Sequence, residues 1–384
     1  MNVSSSQRPP LVHYQGSAVQ QLDDLLQRAL DMGASDVHVE SGSSSFRIRL
    51  RIDGRLQLVA NPPMAMRDAM VSRIKVLARM DIAEKRLPQD GRMQHPYKGG
   101  VVDVRVSSLP TVHGEKMVLR LLNFKQERPT LADLGFEKED EDRILQAITR
   151  PHGMVLVTGP TGSGKTLSLY SCLEHINRID VNVSSVEDPC EIYLPGANQI
   201  SIHERAGLTF ANALRALLRQ DPDIIMVGEI RDTETAEIAI QAAHTGHLVL
   251  SSLHTNDAPS TLERLRHMGV DAFQVASSVH LVVGQRLVRR LCAHCKKPSA
   301  QKPVIYQPQG CSLCDQGYKG RIGIYQVMPI SVTLQQLLLQ GSDAISLSAQ
   351  ARREGMLTLR QAGWRKVLQG VTSEQEVLSS TPDA

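Results

Sequence analysis

The chain has 384 residues, with 43 Lys+Arg against 40 Asp+Glu for a formal charge of +3, and 41% hydrophobic and 22% charged residues. That composition is ordinary for a globular protein with a real core, so whole-chain disorder is excluded, and at about 150 residues per domain it allows two or three domains. Aromatics at 3% argue against base stacking as a main activity, the near-neutral charge argues against a dedicated nucleic-acid binder, and the longest apolar runs, at 154–158 and 224–227, fall far short of the ~18 residues of a membrane span.

Residues 1–16 are polar and proline-containing, lack the apolar core of a signal peptide, and read as a flexible tail. Val19, Leu22, Leu25, Leu26, Ala29 and Leu30 then recur at helical spacing, with Gly33 as the stop. The strict alternation Phe46-Arg47-Ile48-Arg49-Leu50-Arg51-Ile52, followed by Asp53-Gly54 and then Leu56 and Leu58, predicts a hairpin with one apolar and one arginine face. Further alternation at 102–106 and around 117–121 completes a small N-terminal α+β domain over 17–124. Residues 125–135, with Lys125, Glu127, Arg128 and Pro129, read as a linker. From 136 to 384 buried-type strands (154–158, 224–227, 248–253) alternate with helical stretches such as 210–219, as a mostly parallel sheet covered by helices requires. Proline- and turn-rich sequence at 292–314 interrupts this pattern, and 334–378 is again helical. No repeat of 20–50 residues is present.

Gly159-Pro160-Thr161-Gly162-Ser163-Gly164-Lys165-Thr166 satisfies G-x-x-x-x-G-K-[ST], with a strand at 154–158 before it and a helix from Leu167 to about Ile176 after it. Its glycines allow a tight loop whose N–H groups converge on phosphate oxygens, and the helix N-terminus adds positive potential. Lys165 is expected at the β- and γ-phosphates and the Thr166 hydroxyl at Mg²⁺ of a bound nucleoside triphosphate. The strand at 224–227 ends in Gly228-Glu229, where P-loop proteins place a carboxylate for Mg²⁺ or its waters; here it is Glu rather than the usual Asp. Asp221 and Asp223 precede that strand and belong at its far end. Glu187 follows an apparent short strand at 182–186 and reads either as the carboxylate that polarises the attacking water or as part of an acidic turn with Asp188. His247 and His254 bracket the strand at 248–253, either as sensors of a γ-phosphate or as structural histidines.

The cysteines at 292, 295, 311 and 314 form C-x₂-C-x₁₅-C-x₂-C, the spacing of a closed structural zinc site. Disulfides compete with this reading, but no export signal accompanies them. His294 offers a substitute ligand. Lys296, Lys297 and Lys302 surround the knuckles with only Tyr306 interleaved, a poor match to nucleic-acid binding. Cys172 and Cys190 are left as ordinary core thiols.

In these motifs the chain resembles the secretion ATPases of type II secretion and type IV pilus assembly, within the wider type II/IV secretion ATPase superfamily. The likeness rests on the phosphate loop, Glu187-Asp188-Pro189-x-Glu191, Gly228-Glu229-Ile230-Arg231-Asp232 and a histidine box at 245–257, in that order. It extends to Ser35-Asp36-Val37-His38, Arg51-Ile52-Asp53-Gly54, Pro88-Gln89-Asp90-Gly91-Arg92, Gly114-Glu115-Lys116 and 285–295. The resemblance implies an α/β fold: a RecA-like P-loop motor domain over 136–384, including a tetracysteine zinc subdomain at 288–325 and C-terminal helices, behind an N-terminal PAS-like α+β domain. It implies ATP, Mg²⁺ and Zn²⁺ as cofactors and a homo-hexameric ring in the cytoplasm, peripheral at the inner membrane. The implied activity is ATP hydrolysis that drives assembly of a pilus or pseudopilus. The implied partners are a polytopic inner-membrane platform protein and a membrane-recruitment subunit, with no direct nucleic acid.

Carried over residue by residue, Lys165 and Glu187 are catalytic, Glu229 acts through Mg²⁺ and its waters, and His254 stands near the γ-phosphate. Arg105 and Arg120 match two family arginines that reach nucleotide phosphates, a task suited to a permanently charged, forked guanidinium; a solvated strand face is the plain alternative. Cys190 stands where the family usually has an aliphatic residue and reads as a small packing residue. A DNA-handling conjugative or uptake-associated ATPase, a nucleotide-sensing zinc scaffold without turnover, and a pilus retraction motor are the alternatives. The cysteine cluster, which the resemblance associates with assembly and secretion members, disfavours the last. About 35 residues precede Ser35-Asp36, where longer secretion-type relatives place a further partner-binding domain, so that module is expected to be missing.

Overall fold

A computed structural model of the chain describes residues 17–122, 129–302 and 304–381; the expected tail at 1–16 and residues 125–128 of the expected linker lie outside the described residues. The described residues within 1–126, together with 311–316, form one compact unit, and those within 127–310 and 317–384 form the other.

In the first unit the periodic leucines build α1 (Ala18–Asp31), which Ser17 caps reciprocally with Gln20. Three strands follow, β1 (Asp36–Ser41), β2 (Phe46–Ile52) and β3 (Arg55–Ala60), then α2 (Arg67–Leu77), β4 (Gln89–Tyr97), β5 (Gly100–Thr111) and β6 (Gly114–Leu122). All neighbours in the sheet, ordered β3-β2-β1-β6-β5-β4, are antiparallel. The β2–β3 hairpin turns on Asp53 and Gly54, both at positive φ, as a two-residue turn requires. Phe46, Ile48 and Leu50 point into a core shared with α1 and α2. On the other face Arg47 and Arg49 bond both oxygens of the buried Glu40, at 2.9 and 2.7 Å. Composition hid β1, α2 and β4: β1 alternates Asp36, His38 and Glu40 with valines, and its polar side is covered by basic neighbours rather than by solvent.

The second unit begins with α3 (Lys138–Ile148), β7 (Gly153–Thr158), α4 (Lys165–Ile176), β8 (Val183–Glu187) and β9 (Asn198–Ser201). It continues through α5 (Phe210–Leu217), β10 (Ile224–Val227), α6 (Thr233–His244), β11 (Leu248–Leu253), α7 (Ala258–His267) and α8 (Ala272–Ser278). The long strands β12 (Val279–Leu291) and β15 (Tyr318–Pro329) enclose the cysteine-rich segment with its small ladder β13 (Lys297–Pro298) and β14 (Tyr306–Gln307). Helices α9 (Val332–Leu339), α10 (Ala344–Arg353), α11 (Leu359–Leu368) and α12 (Glu374–Ser380) close the unit.

Seven strands lie in the order β15-β12-β7-β11-β10-β8-β9, parallel throughout except for β15 against β12. Successive residues of β7 enter opposite cores: Met154 and Leu156 pack with α5, α6 and α7, whereas Val155 and Val157 pack with α3 and α4. A sheet apolar on both faces is the reason its strands read as continuous hydrophobic runs. Three boundaries shift from expectation. The helix after the glycine-rich loop starts at Lys165, α5 ends at Leu217 rather than near 219, and β8 extends one residue to take in Glu187. Among the described residues no helix is long and apolar enough to cross a membrane.

Candidate functional site

Parallel strands present their C-terminal ends on one edge, which is where ligands collect in such sheets. The sheet order sets the ends of β7, β11, β10 and β8 side by side and so gathers four segments far apart in sequence. The glycine-rich loop leaves β7. Gly159 and Gly164 have φ of +153° and +88°; a Cβ on Gly159 would lie 2.5 Å from the Gln285 carbonyl oxygen, so no side chain fits there. Gly164 precedes the first residue of α4, placing Lys165 and Thr166 in the first helical turn. Lys165 is buried, and its Nζ donates to the carbonyls of Gly159 (2.9 Å) and Pro160 (3.2 Å). Burial depresses its pKa, a cost that an anion in the loop would relieve. Ser163 Oγ is also buried and, among the described residues, has no hydrogen-bond partner. A cradle closed to Cβ atoms, a desolvated ammonium and an unsatisfied hydroxyl fit a phosphate-bearing ligand.

Glu229 follows β10. The turn holding it is pinned by Gly228 N to Val186 O (2.8 Å) and Ile230 N to Ser252 O (3.0 Å). Its carboxylate accepts from Arg231 Nη2 at 2.5 Å and from His254 Nε2 at 3.0 Å. Burial pushes its pKa up, but the Arg231 hydrogen bond and charge, with His254, outweigh burial and hold it below the usual carboxylate range. Arg231 also reaches Asp188 Oδ2 at 3.6 Å. His254 is thus part of the site, whereas His247 is turned to the carbonyl of Ala242 at the other end of β11.

Glu187 is the last residue of β8 and is buried, so the acidic-turn reading is corrected: only Asp188 is exposed there. Its carboxylate accepts from the Tyr170 hydroxyl and from Ser185 Oγ. Burial raises its pKa more than these donors lower it. Thr166, Glu187, Asp188, Glu191 and Glu229 all line one cavity of about 140 Å³, which holds a small cation with its water shell more readily than a bulky organic group. Asp223 stands at the opposite edge, as its position before β10 predicts, where its carboxylate accepts from Asn182 N at 2.7 Å.

Sequence reasoning missed several supports. Thr158 Oγ1 and Thr255 Oγ1 lie 2.6 Å apart and tie the start of the loop to the segment carrying His254. Ser168 Oγ donates to Gln285 Oε1 at 2.8 Å, binding α4 to β12. Tyr170, Ser185 and Gln199 surround Glu187. None carries a spacing signal, because each acts through a partner more than 15 residues away or a neighbour in its own strand. Cys172 is a core thiol, its pKa pushed up to about 12 by burial. Cys190 is not: it is half-buried beside Glu187, which corrects the packing expectation.

In the first unit Arg105 and Arg120 stand opposite one another across β5 and β6, with Arg92 opposite Arg105 on β4. Cations aligned across strands repel, and Asp36 offsets this by accepting from Arg120 Nε at 3.1 Å. The sulfur atoms of Cys292, Cys295, Cys311 and Cys314 lie within 4.8 Å of one another, and His294 is exposed outside that group. A tetrahedron of thiolates around zinc at about 2.3 Å needs sulfur separations of about 3.8 Å. Cys311 Sγ and Cys314 Sγ are 3.6 Å apart, too far for a disulfide and right for two ligands of one metal, and Cys311 N donates to Cys314 Sγ.

The sequence matches the family described as type II/IV secretion system protein over residues 13–379. It is 49% identical over 379 residues to the type IV pilus assembly ATPase PilB of Acinetobacter baylyi, covering 94% of this chain and 65% of that protein. It is 43% identical over 378 residues to the type II secretion system ATPase E of Vibrio cholerae, covering 94% and 75%. Among solved structures the pilus retraction motor PilT with bound ADP is similar at a TM-score of 0.67 and 25% identity, over 94% of this chain and 97% of that one. The chain therefore spans about two thirds of the length of the PilB relative.

Proposed function

The chain belongs to the type II/IV secretion system protein family, and from that premise we propose that it is an ATP-hydrolysing motor for assembly of a type IV pilus or type II secretion pseudopilus. The observation that carries this reading is the convergence of Thr166, Glu187 and Glu229 on one cavity beside the phosphate-binding loop. Hydrolysis by such a site is mostly positioning and electrostatics. Lys165 and the N–H groups of 159–166 bind the phosphates. Glu187 orients the attacking water and takes its proton, Glu229 fixes the waters opposite Thr166, and His254, bonded to Glu229, stands toward the γ-phosphate. Thr166 would hold Mg²⁺, which would supply charge neutralisation on the phosphate oxygens. The four cysteines would hold a structural Zn²⁺, which would brace the segment between β12 and β15.

In this reading the second unit is a RecA-like motor and the first a PAS-like domain whose Arg105 and Arg120 bind nucleotide phosphates. The chain works as a hexamer at the cytoplasmic face of the inner membrane, on a platform protein and a recruitment subunit. Assembly rather than retraction is supported by the relatives named for pilus assembly and type II secretion, at 43–49% identity, against 25% for the retraction motor. In purified protein, Lys165→Ala and Glu229→Gln should each lower turnover by at least ~100-fold with the fold intact; undiminished turnover in either would overturn the site. Deleting the gene should remove surface pili or a secreted protein, and an excess of pili would instead indicate retraction.

A further inference from the structure

The hydrogen bonds around Glu187 form a directed chain that begins on the backbone. Leu194 N donates to Gln199 Oε1 at 2.8 Å, which fixes the orientation of that amide. Gln199 Nε2 then donates to Ile192 O and to the Tyr170 hydroxyl oxygen, both at 2.8 Å. A phenol has one proton, and with its oxygen already accepting from Gln199 that proton is aimed at Glu187, whose oxygens lie 2.7 and 2.8 Å from it. Ser185 Oγ adds a second donor to Glu187 Oε1 at 2.7 Å. Tyr170 and Glu187 are both buried, so water competes little for these bonds.

We propose that Tyr170, oriented by Gln199, is a positioning residue for Glu187: it fixes the plane of the carboxylate and keeps it ionised facing the cavity beside Thr166. The proposal rests on the reading of Glu187 as the group that accepts the water proton. Other titratable groups face Glu187. The Cys190 thiol beside it is pushed up to about 11 by burial and remains protonated, while Asp188, Glu191 and Glu229 share the cavity wall. Burial is what works against ionisation of Glu187; Ser185 and Tyr170, and after them Cys190 and Gln199, are the groups that favour its charged form.

The test is the pH dependence of kcat in the chain carrying Tyr170→Phe, which keeps the ring and removes only the hydroxyl. The acid limb should move up by about one pH unit, the scale of one hydrogen bond to a carboxylate, with ADP affinity unchanged. Gln199→Ala should move it the same way by less, because the phenol keeps its proton but loses its aim. A hydroxyl of merely structural importance would lower thermal stability and leave the limb in place. Glu187→Gln separates the two levels of argument. If that variant turns over ATP normally, the reading of Glu187 falls and the proposal with it. If it is inactive while the Tyr170→Phe limb superimposes on that of the parent, Tyr170 alone is overturned.

Discussion

His254 Nε2 donates to Glu229 Oε2 at 3.0 Å while Arg231 Nη2 holds the other oxygen at 2.5 Å, so both lone-pair edges of the carboxylate are engaged by cation-capable side chains. Arg231 on the turn after β10 and His254 at the end of β11 therefore share one electrostatic balance with Glu229, whose charge also acts on Lys165 of the phosphate loop. A group entering beside Thr166 must either accept Glu229 in this orientation or draw it away from His254.

The balance gives a pH prediction. Glu229 is held below the usual carboxylate range, so its contribution to stability is present above the ordinary value of 4.5 and is lost as pH falls through its lower folded value. Arg231→Met removes the largest downward influence and leaves burial, which acts upward. The variant should therefore protonate Glu229 at higher pH than the parent, and the Mg²⁺ concentration for half-maximal turnover should climb more steeply as pH is lowered from 8 to 5. Parallel Mg²⁺ titrations at several pH values check this; identical curves for parent and variant would remove Arg231 from the site.

Gly159 supplies a second prediction, about geometry alone. At φ +153° an added Cβ meets the Gln285 carbonyl oxygen at 2.5 Å and Ser163 Oγ at 2.6 Å. The hydroxyl can rotate, but the carbonyl belongs to β12, a strand paired on both sides, and cannot yield. Gly159→Ala should cost about 1–3 kcal/mol and weaken ADP binding, because relief must come from the loop itself. Thermal unfolding with and without ADP measures both effects. Gly162→Ala, at a position with φ +79° but nothing within 4 Å, should retain more affinity.

The tetracysteine segment gives a third. Protein purified without chelator should contain about one zinc per chain, and Cys292→Ser should lose it. Acid should release the metal as thiolates are protonated. Limited proteolysis then reads the consequence: cleavage between 292 and 314 should appear on metal loss while β12 and β15, paired along their length, stay protected.

What was legible in the sequence follows from how local each signal is. The phosphate loop, the β2–β3 hairpin and the four cysteines depend on residues within a turn or a knuckle, and spacing carries that information. The core strands of the second unit were legible because both faces are buried and every position is apolar. Tyr170, Ser185 and Gln199 were not, since their role exists only once the sheet places β8 beside β9 and under α4. Likewise β1 carries no apolar run of its own, and the arginines and the lysine that neutralise Glu40 and Asp36 come from β2 and β6. Even Glu187 was ambiguous for want of one residue of strand.

The first unit supplies the last prediction. Lys75 on α2 and Glu115 on β6 are both buried and lie 2.5 Å apart, and Lys75 Nζ also donates to Glu84 O at 2.7 Å. Removing one partner leaves the other charge desolvated and alone, so Lys75→Met should destabilise the unit by about 3–5 kcal/mol. Replacing both, Lys75→Met with Glu115→Leu, removes the stranded charge and should recover most of that loss. It should not recover all of it, because the Glu84 carbonyl loses one of its two donors and keeps only Gln89 Nε2, a deficit of about 1 kcal/mol at most. Glu84 in turn accepts from Arg86 N, and Gln89 Nε2 donates to its carbonyl, so the residual loss should be concentrated at 81–89. Equilibrium denaturation of parent, single and double variants gives the energies, and amide exchange locates them. A double variant as unstable as the single would mean that Lys75 acts through the Glu84 carbonyl rather than through the ion pair.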